Sequence, residues 1–354
     1  MKKGICKVIN KRYSMSSYLA LRYVERRNTD FCCKYHYKRP QLREQKELVM
    51  VRTAQEIHNS IEKQLGWIIK KYHKTGIMLS GGMDSAVLAS YLPGCEAYTF
   101  RFLDGIYQKD ELQRAEMFAE YNGLKLHYVD IGWETVKMAL SDVMKSKGGP
   151  VHSIEPQIYA AAREAAKNHV DVMVIGDGAD YVFGGMDRLL SRDWLFDEFM
   201  DRYIYVKPGD VLEEADSMCY LFEQYRQGDG IDFEGFLSVV AAEESYGSYE
   251  NAFEAAGMHY YDPYQFLKMG MPLDLWRIRN GESKYLIREL FRMRYPDIPV
   301  PEKNPMPRLV DFYFAGWRGP QRPEFRKDID MAKYNGNQKW LLWCLEKFLE
   351  MADK

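Results

Sequence analysis

Apolar residues recur at helical spacing through Ile57, Ile61, Leu65 and Ile68 or Ile69, which predicts an amphipathic helix over residues 53–72. Thr53 stands at its start with Glu56 three residues on, a plausible N-cap with its acidic partner. Beyond this helix the pattern alternates. Short apolar runs predict strands at 76–80, 97–101, 126–129 and 172–175. Between them lie segments of helical character: about 84–92, a helix opening near Asp110-Glu111 and closing before Gly123, and about 155–168 with Ile158, Ala162 and Ala165 on one face. Strands separated by helices predict an α/β fold with a doubly wound parallel sheet. After residue 186 the strand rhythm stops. Segments rich in aromatics and acids predict a mostly helical C-terminal part, closing on a helix through Trp340-Leu341-Leu342-Trp343. Residues 187–235 read as a helical excursion that shapes a substrate pocket. The first 50 residues carry less pattern: Tyr18–Val24 fits a short helix or strand, and Thr29-Asp30-Phe31 and Arg39-Pro40 fit turns.

Composition narrows this picture. A chain of 354 residues with 46% hydrophobic content supports one large or two ordinary domains. A formal net charge of -2 gives no electrostatic case for broad nucleic-acid binding. Basic residues do cluster early (Lys2, Lys3, Lys7, Lys11, Arg12, Arg22, Arg26, Arg27, Lys34, Lys38, Arg39), which reads as a solvated basic surface or a docking face. No apolar run reaches the length of a membrane span, and the N-terminus lacks the apolar segment of a signal peptide. Six scattered cysteines without a CxxC pair support neither a zinc site nor a disulfide framework. Reduced thiols in the cytoplasm are the expectation.

In a doubly wound sheet, ligands bind beyond the carboxyl ends of the strands, and two informative segments fall there. Ser80-Gly81-Gly82-Met83-Asp84-Ser85 follows Gly76–Leu79 and precedes Ala86–Leu92, so its context is strand, tight turn, helix. That geometry aims backbone N–H groups at a phosphate. Gly81 and Gly82 let the backbone turn sharply and come close, and Ser80 and Ser85 add hydroxyl donors. Asp84 would repel a phosphate unless a cation lies between, so it reads as a Mg²⁺ ligand or a helix cap. No Lys follows the glycines, which excludes the GxxxxGK[ST] loop. The fourth strand runs into Gly176-Asp177-Gly178-Ala179-Asp180-Tyr181-Val182-Phe183-Gly184-Gly185. Beside a triphosphate, Asp84 and Asp180 would bridge one Mg²⁺.

The first loop resembles the PP-loop of enzymes that cut ATP into AMP and pyrophosphate. With the second turn it resembles the synthetase domain of the asparagine synthetase family, which includes the β-lactam and carbapenam synthetases. Asp110-Glu111, Tyr260-Tyr261-Asp262-Pro263, Gly281-Glu282-Ser283-Lys284-Tyr285-Leu286-Ile287-Arg288 and Glu302-Lys303-Asn304-Pro305-Met306 extend the likeness over roughly residues 50–320. The resemblance implies a fold of the PP-loop, adenine nucleotide alpha hydrolase-like type. It also implies a reaction: ATP adenylates a carboxylate, pyrophosphate leaves, and an amine attacks the acyl-adenylate to give an amide and AMP. ATP and Mg²⁺ are the implied cofactors. Leu79, Ser80, Gly81, Gly82, Asp84, Ser85, Phe100, Gly176, Asp177 and Gly178 are then the nucleotide-binding positions. Lys284 and Lys303 would neutralise charge on the leaving pyrophosphate and the acyl intermediate. Asp177 falls where the family places a residue near the attacking amine, where it would accept or relay a proton. Glu243, or its neighbour Glu244, matches the glutamate that β-lactam synthetases use in a proton-relay pair.

Departures from the family pattern bear on the substrates. Asparagine synthetases carry a glutaminase domain whose nucleophilic cysteine follows the initiator methionine. Here residue 2 is Lys, and residues 1–50 resemble only the trailing linker of that domain, with residues 51–354 as the synthetase domain. The expectation is no glutamine hydrolysis. The amine would be ammonia, ammonia from a separate glutaminase or pathway partner, or another amine. Tyr181 replaces the family's usual glutamate, and Met186-Asp187-Arg188 replaces its usual tyrosine, a pattern closer to β-lactam synthetases. Glu254-Ala255-Ala256-Gly257 alters the Glu-x-Arg that normally precedes the Pro-Phe-Leu-Asp segment. These changes point away from aspartate toward another small or peptidic carboxylate. Two other functions fit a PP-loop: RNA modification and non-catalytic nucleotide binding in a regulatory subunit. The charge and the missing CxxC weigh against the first, and the intact loop, acids and lysines against the second. Neither nucleic acid nor membrane is expected as a partner.

Overall fold

The computed structural model describes residues 8–40, 42–105, 108–302 and 309–354. Five strands build the main sheet: β1 (Thr75–Met78), β2 (Glu96–Phe102), β3 (Lys125–Ile131), β4 (Val172–Val174) and β5 (His259–Tyr261). Their order is β5-β4-β1-β2-β3, and every neighbouring pair is parallel. Ile77 at the sheet's centre is in register with Ala97 on one side and Val174 on the other. The chain steps outward from β1 to β3, then returns to lay β4 and β5 on the opposite side. A crevice opens where the direction reverses, at the carboxyl ends of β1 and β4. The fold is therefore α/β with a doubly wound parallel sheet, as the alternation predicts. The fifth strand has no signal in the sequence, since His259-Tyr260-Tyr261 is a three-residue edge strand without apolar alternation.

Among the described residues, ten helices of seven residues or more surround or extend this sheet beside shorter ones: α1 (Lys11–Leu21), α2 (Ala54–Lys71), α3 (Met83–Ala89), α4 (Lys109–Tyr121), α5 (Trp133–Lys147), α6 (Glu155–Lys167), α7 (Ala242–Ala256), α8 (Tyr285–Arg294) and α9 (Gly336–Asp353), and the unnumbered helix Phe196–Tyr203 treated below. Thr53 caps α2, its hydroxyl oxygen accepting the Glu56 N–H at 3.2 Å. Ile57, Ile61, Leu65 and Ile68 are buried and Ile69 is exposed, which fixes the inward face. Each such isoleucine contributes roughly 1.5–3 kcal/mol through burial. Gly123 follows α4 in the left-handed region (φ 63), the conformation a helix-terminating glycine supplies. Helix α5 escapes sequence reading because Gly132 stands at its N-cap and offers no capping side chain.

Two expectations are corrected. The N-terminal basic segment is not simply a solvated face. Residues Tyr13–Leu21 of α1 are all buried. The Tyr18 hydroxyl donates to the Val151 carbonyl at 2.9 Å, and the Tyr205 and Val206 N–H groups donate to Ala20 and Leu19 carbonyls at 3.1 Å. Several of the basic residues are used inside the molecule. Lys11 pairs with Glu324 at 2.5 Å, Arg12 with Asp216 at 2.8 Å and Arg22 with Glu244 at 2.7 Å, and Arg39 with Glu243. One hydrophobic core takes in α1, α2, the sheet and α9 together. Residues 187–235 are also not purely helical. Short helices, Phe196–Tyr203 the longest, are followed by an antiparallel hairpin pairing Arg226–Gln227 with Gly230–Ile231. Phe199, Tyr203, Phe222 and Phe236 hold this excursion together, with Phe236 at 5.2, 4.7 and 4.8 Å from the other three ring centroids. No helix among the described residues is long and apolar enough to cross a membrane.

Candidate active site

A cavity of about 470 Å³ opens at the carboxyl ends of β1 and β4. Leu79, Ser80, Asp84, Ser85, Phe100, Gly176, Asp177 and Asp180 all line it, so the two loops singled out in the sequence share one wall. Within the first loop the serines hold the turn. The Ser85 hydroxyl accepts the Ser80 N–H at 3.2 Å and donates to the Ser80 carbonyl at 3.1 Å, and the Gly82 N–H donates to the Ser80 hydroxyl at 3.2 Å. Gly81 has its own reason to be glycine. A Cβ there would lie 2.4 Å from the Glu111 carbonyl oxygen, while the Gly81 carbonyl accepts from Arg114 Nε at 2.9 Å. Helix α4 therefore clamps the loop, and Glu111 of the expected Asp110-Glu111 pair reaches the cavity.

The second loop is pinned by Asp262. Its Oδ2 accepts the Gly178 N–H at 2.7 Å and its Oδ1 the Tyr264 N–H at 3.0 Å. Gly178 packs so tightly that a Cβ would meet the Gln265 nitrogen at 2.9 Å. Burial raises the Asp262 carboxyl to about 7, against the pull of those N–H donors. Asp177 is half-buried beside it and accepts the Ser245 hydroxyl at 2.8 and 2.9 Å. Burial, reinforced by the Asp262 charge, pushes Asp177 well above the usual carboxylate range. It holds a proton far more readily than an exposed aspartate does.

Lys284 joins the loops. Its ammonium donates to Asp84 Oδ2 at 2.5 Å and lies 2.9 Å from Asp180 Oδ1, with the side chain only 5% exposed. Burial alone would lower its pKa, but Asp180 and Asp84 outweigh it and hold the ammonium charged. Lys284 sits at φ 53, ψ 42, a left-handed conformation that costs a non-glycine residue about 1–3 kcal/mol. That strain turns the chain into α8 and directs the side chain at the two acids. Gly185 makes room for Asp180, since a Cβ there would stand 2.0 Å from Asp180 Oδ1.

The structure thus brings Asp84, Asp180 and Lys284 to one point and Asp177 to the same cavity. It does not bring Glu243 there. Glu243 turns toward the N-terminal segment, where Arg39 binds it and Arg27 lies 3.9 Å away. Glu244 lines the cavity instead. Lys303 lies outside the described residues. The sequence reading missed Arg22, which caps α1 at φ 68. Arg22 binds Glu244 at 2.7 Å and His152 Nε2 at 2.6 Å, and stacks over the Tyr205 ring at 3.9 Å. A lone arginine in a basic run gives no sign of this. Ser245 was missed too, although it follows the glutamate pair directly. Tyr181 and Met186, the departures from the family pattern, both line the cavity. Among the described residues no cluster of three or more His, Cys, Asp or Glu forms a closed metal cage. Two carboxylates meeting on one cation position are instead the donor set by which Mg²⁺ is held together with substrate phosphates.

The asparagine synthase family model matches residues 58–247, more than half of the chain. The chain belongs to the asparagine synthase family. The matched stretch runs from α2 into α7 and includes both loops, Asp177, Asp180 and Glu244. As a family member the protein is an ATP-utilising PP-loop enzyme. No curated protein sequence matches it. Among solved structures it is similar to the U34-tRNA thiolase NcsA from Methanococcus maripaludis, at 15% identity and a TM-score of 0.30 over 72% of this chain and 83% of that one. It is similar to the NMN synthetase from Francisella tularensis at 12% identity and a TM-score of 0.28, over 71% and 96%. A predicted tRNA methyltransferase subunit from Methanocaldococcus jannaschii follows at 15% identity and a TM-score of 0.25, over 63% and 87%. Likenesses of that size carry no argument about the chemistry of this family member.

Proposed function

We propose that this asparagine synthase family member is an AMP-forming carbon–nitrogen ligase. It would adenylate a small or peptidic carboxylate and pass the acyl group to ammonia or another amine. The observation that carries the reading is the meeting of Asp84, Asp180 and Lys284, from three segments far apart in the chain, at the edge of one cavity. ATP lies with its phosphates against residues 80–85. A carboxylate oxygen of the substrate attacks the α-phosphorus, and the bond to the bridging oxygen of pyrophosphate breaks. Lys284 supplies a positive charge to the phosphates as negative charge builds on them. Mg²⁺, held by Asp84 and Asp180 with phosphate oxygens, would add further neutralisation of the leaving pyrophosphate. Lys303 keeps the role its motif implies, neutralising the acyl intermediate.

In the second half the amine attacks the acyl carbon, AMP leaves, and one proton must leave the nitrogen. Asp177 and Glu244 are the acids at the cavity for that proton. Asp177, whose proton affinity burial has raised, is the better acceptor once ionised. Glu244, fixed by Arg22, takes the position for which the resemblance suggested Glu243. The test is to incubate the protein with ATP, Mg²⁺ and a panel of acids and amines, with a purified glutaminase as one ammonia source. Pyrophosphate and AMP are expected in equal amounts, and Asp84→Asn is expected to abolish both. Release of ADP and phosphate, or no product from any pairing, overturns the reading.

A further inference from the structure

The N-terminal segment reaches the reaction cavity through Arg22. This residue ends α1 in a left-handed conformation (φ 68), which favours glycine, and its side chain lines the cavity. There the guanidinium is held on three sides. Its Nη2 donates to Glu244 Oε2 at 2.7 Å, its Nη1 donates to His152 Nε2 at 2.6 Å, and it stacks on the Tyr205 ring at 3.9 Å. A guanidinium only donates, so His152 Nε2 accepts and the imidazole is neutral. The pair with Glu244 is buried, the two side chains being 13% and 4% exposed. One residue earlier on α7, Arg39 of the same N-terminal segment binds Glu243, and neither partner of that pair lines the cavity. Two arginines thus hold two neighbouring glutamates, and only one pair borders the place where the chemistry would occur. The other groups that interact with the Glu244 charge do not replace Arg22. Asp177, Tyr181 and Tyr203 bring no positive charge, and the Lys147 ammonium of α5 is committed to Glu155 at 2.6 Å.

We propose that Arg22 is a positioning residue for the amide-forming half of the reaction and acts through Glu244. This rests on the function proposed above, and it gives the N-terminal segment a part in that function. The two halves differ in their protons. In the first, a carboxylate oxygen attacks the α-phosphorus and pyrophosphate leaves, with no proton transferred. In the second, the amine nitrogen bonds to the acyl carbon, the bond from that carbon to AMP breaks, and one N–H proton passes to a carboxylate. A carboxylate buried without a cation gives up its charge by taking a proton, and it is then no acceptor. Arg22 keeps Glu244 charged and in place, and His152 and Tyr205 keep Arg22 in place. Helix α1, which carries the arginine, is anchored in the core through Leu19 and Leu21. Loss of Arg22 therefore falls on the second half more heavily than on the first.

The test reads the two halves separately. Adenylation is measured as exchange of labelled pyrophosphate into ATP, with Mg²⁺ and with L-aspartate, glutarate or N-acetylglycylglycine as the acid and no amine. Amide formation is measured as AMP release once ammonium chloride or glycinamide is added. Arg22→Met is expected to lower AMP release about 10²-fold more than it lowers exchange. Arg22→Lys keeps the charge but not the fork, and is expected to recover part of the loss. Arg39→Met breaks the neighbouring pair and is expected to keep the wild-type ratio of the two rates. The double variant Arg22→Met, Glu244→Gln is expected to be no slower than Glu244→Gln alone, because the arginine acts through that glutamate. An equal fall of both rates in Arg22→Met overturns the proposal, as does a double variant slowed by the product of the two single effects. If Arg22→Met fails to fold, Arg22→Lys must show the same split, and its absence there overturns the proposal as well. A wild type that exchanges no pyrophosphate with any of the acids overturns the function proposed above and this inference with it. A wild type that exchanges while the split fails overturns this inference alone.

Discussion

Replacing Lys284 with methionine is expected to turn the candidate site into a Mg²⁺ site that works without nucleotide. In the wild type the ammonium neutralises Asp84 and Asp180 at 2.5 and 2.9 Å. Lys284→Met removes the ammonium from between the two carboxylates. Breaking a fully buried pair costs about 3–5 kcal/mol, but Asp84 and Asp180 are 23% and 34% exposed and solvent screens them. About 2–3 kcal/mol is the better figure. For a chain of this length that lowers the Tm by about 3–5 °C. Mg²⁺ then binds where the ammonium stood. At ten times its Kd it returns about 1.4 kcal/mol, while the wild type gains less because its lysine must first be displaced. Thermal unfolding in EDTA and across a Mg²⁺ titration reads both effects. A variant as stable as the wild type in EDTA, or Mg²⁺ raising both proteins equally, refutes competition of lysine and metal for one position.

The same variant makes a pH prediction. Despite burial, which pulls the other way, Asp180 and Asp84 raise the folded-state pKa of Lys284 above its ordinary 10.5. The lysine's contribution is therefore complete below pH 10.5 and is lost only as the pH rises through the folded value. The stability gap between wild type and Lys284→Met is expected to stay level on this account across neutral pH and to shrink above about pH 10.5. A gap that closed on acidification within the neutral range would mean another group carries it.

The remaining expectations separate residues that sit close together. Glu243→Gln and Glu244→Gln each break an ion pair with arginine and are expected to lose about 3 kcal/mol of unfolding free energy. Only Glu244→Gln is expected to slow AMP formation by about 10²-fold or more, and equal rates would remove Glu244 from the chemistry. Gly185→Ala is expected to push Asp180 aside and cost about 10²-fold in turnover. Gly66→Ala, in α2 with nothing within 4 Å of the added Cβ, is expected to gain about 0.5–1 kcal/mol in chemical denaturation. Because burial raises Asp262 to about 7, its contribution is complete below its unfolded value and is lost as the pH rises through about 7. The stability of Asp262→Asn relative to the wild type is therefore expected to improve from pH 4 to about 7 and then level off, and a flat difference would contradict the burial effect.

Four of the sheet's five strands and both loops were legible because their signals are local. An apolar run followed by Ser80–Ser85 needs only its neighbours to be read as strand, turn and helix, and the topology then carries both loops to the same crevice. Arg22 was not legible for the opposite reason. Its charge looks solvated among other charges in sequence, and its partners Glu244 and His152 are 222 and 130 residues away. Lys284 was identified from its motif, but its left-handed backbone and its seat between two acids are tertiary facts.

The confusion of Glu243 with Glu244 has a more specific cause. A motif match places a glutamate within a residue or so, and on an α-helix one residue turns the side chain by about 100°. Periodicity would normally settle which of two neighbours faces inward. Here it fails, because Leu237–Ala241, directly before α7, is a π-helical turn. Such a turn holds an extra residue and shifts the phase of everything after it. Counting at 3.6 residues per turn from Phe236 lands on Glu243, and the extra residue of the turn moves that place to Glu244, which is the offset between the glutamate bound by Arg39 and the glutamate that lines the cavity. Wide turns of this kind are frequent at functional sites because they re-aim side chains without breaking the helix. In this protein the turn sends Glu244, Ser245 and Tyr249 toward the cavity and leaves Glu243 to fasten the N-terminal segment.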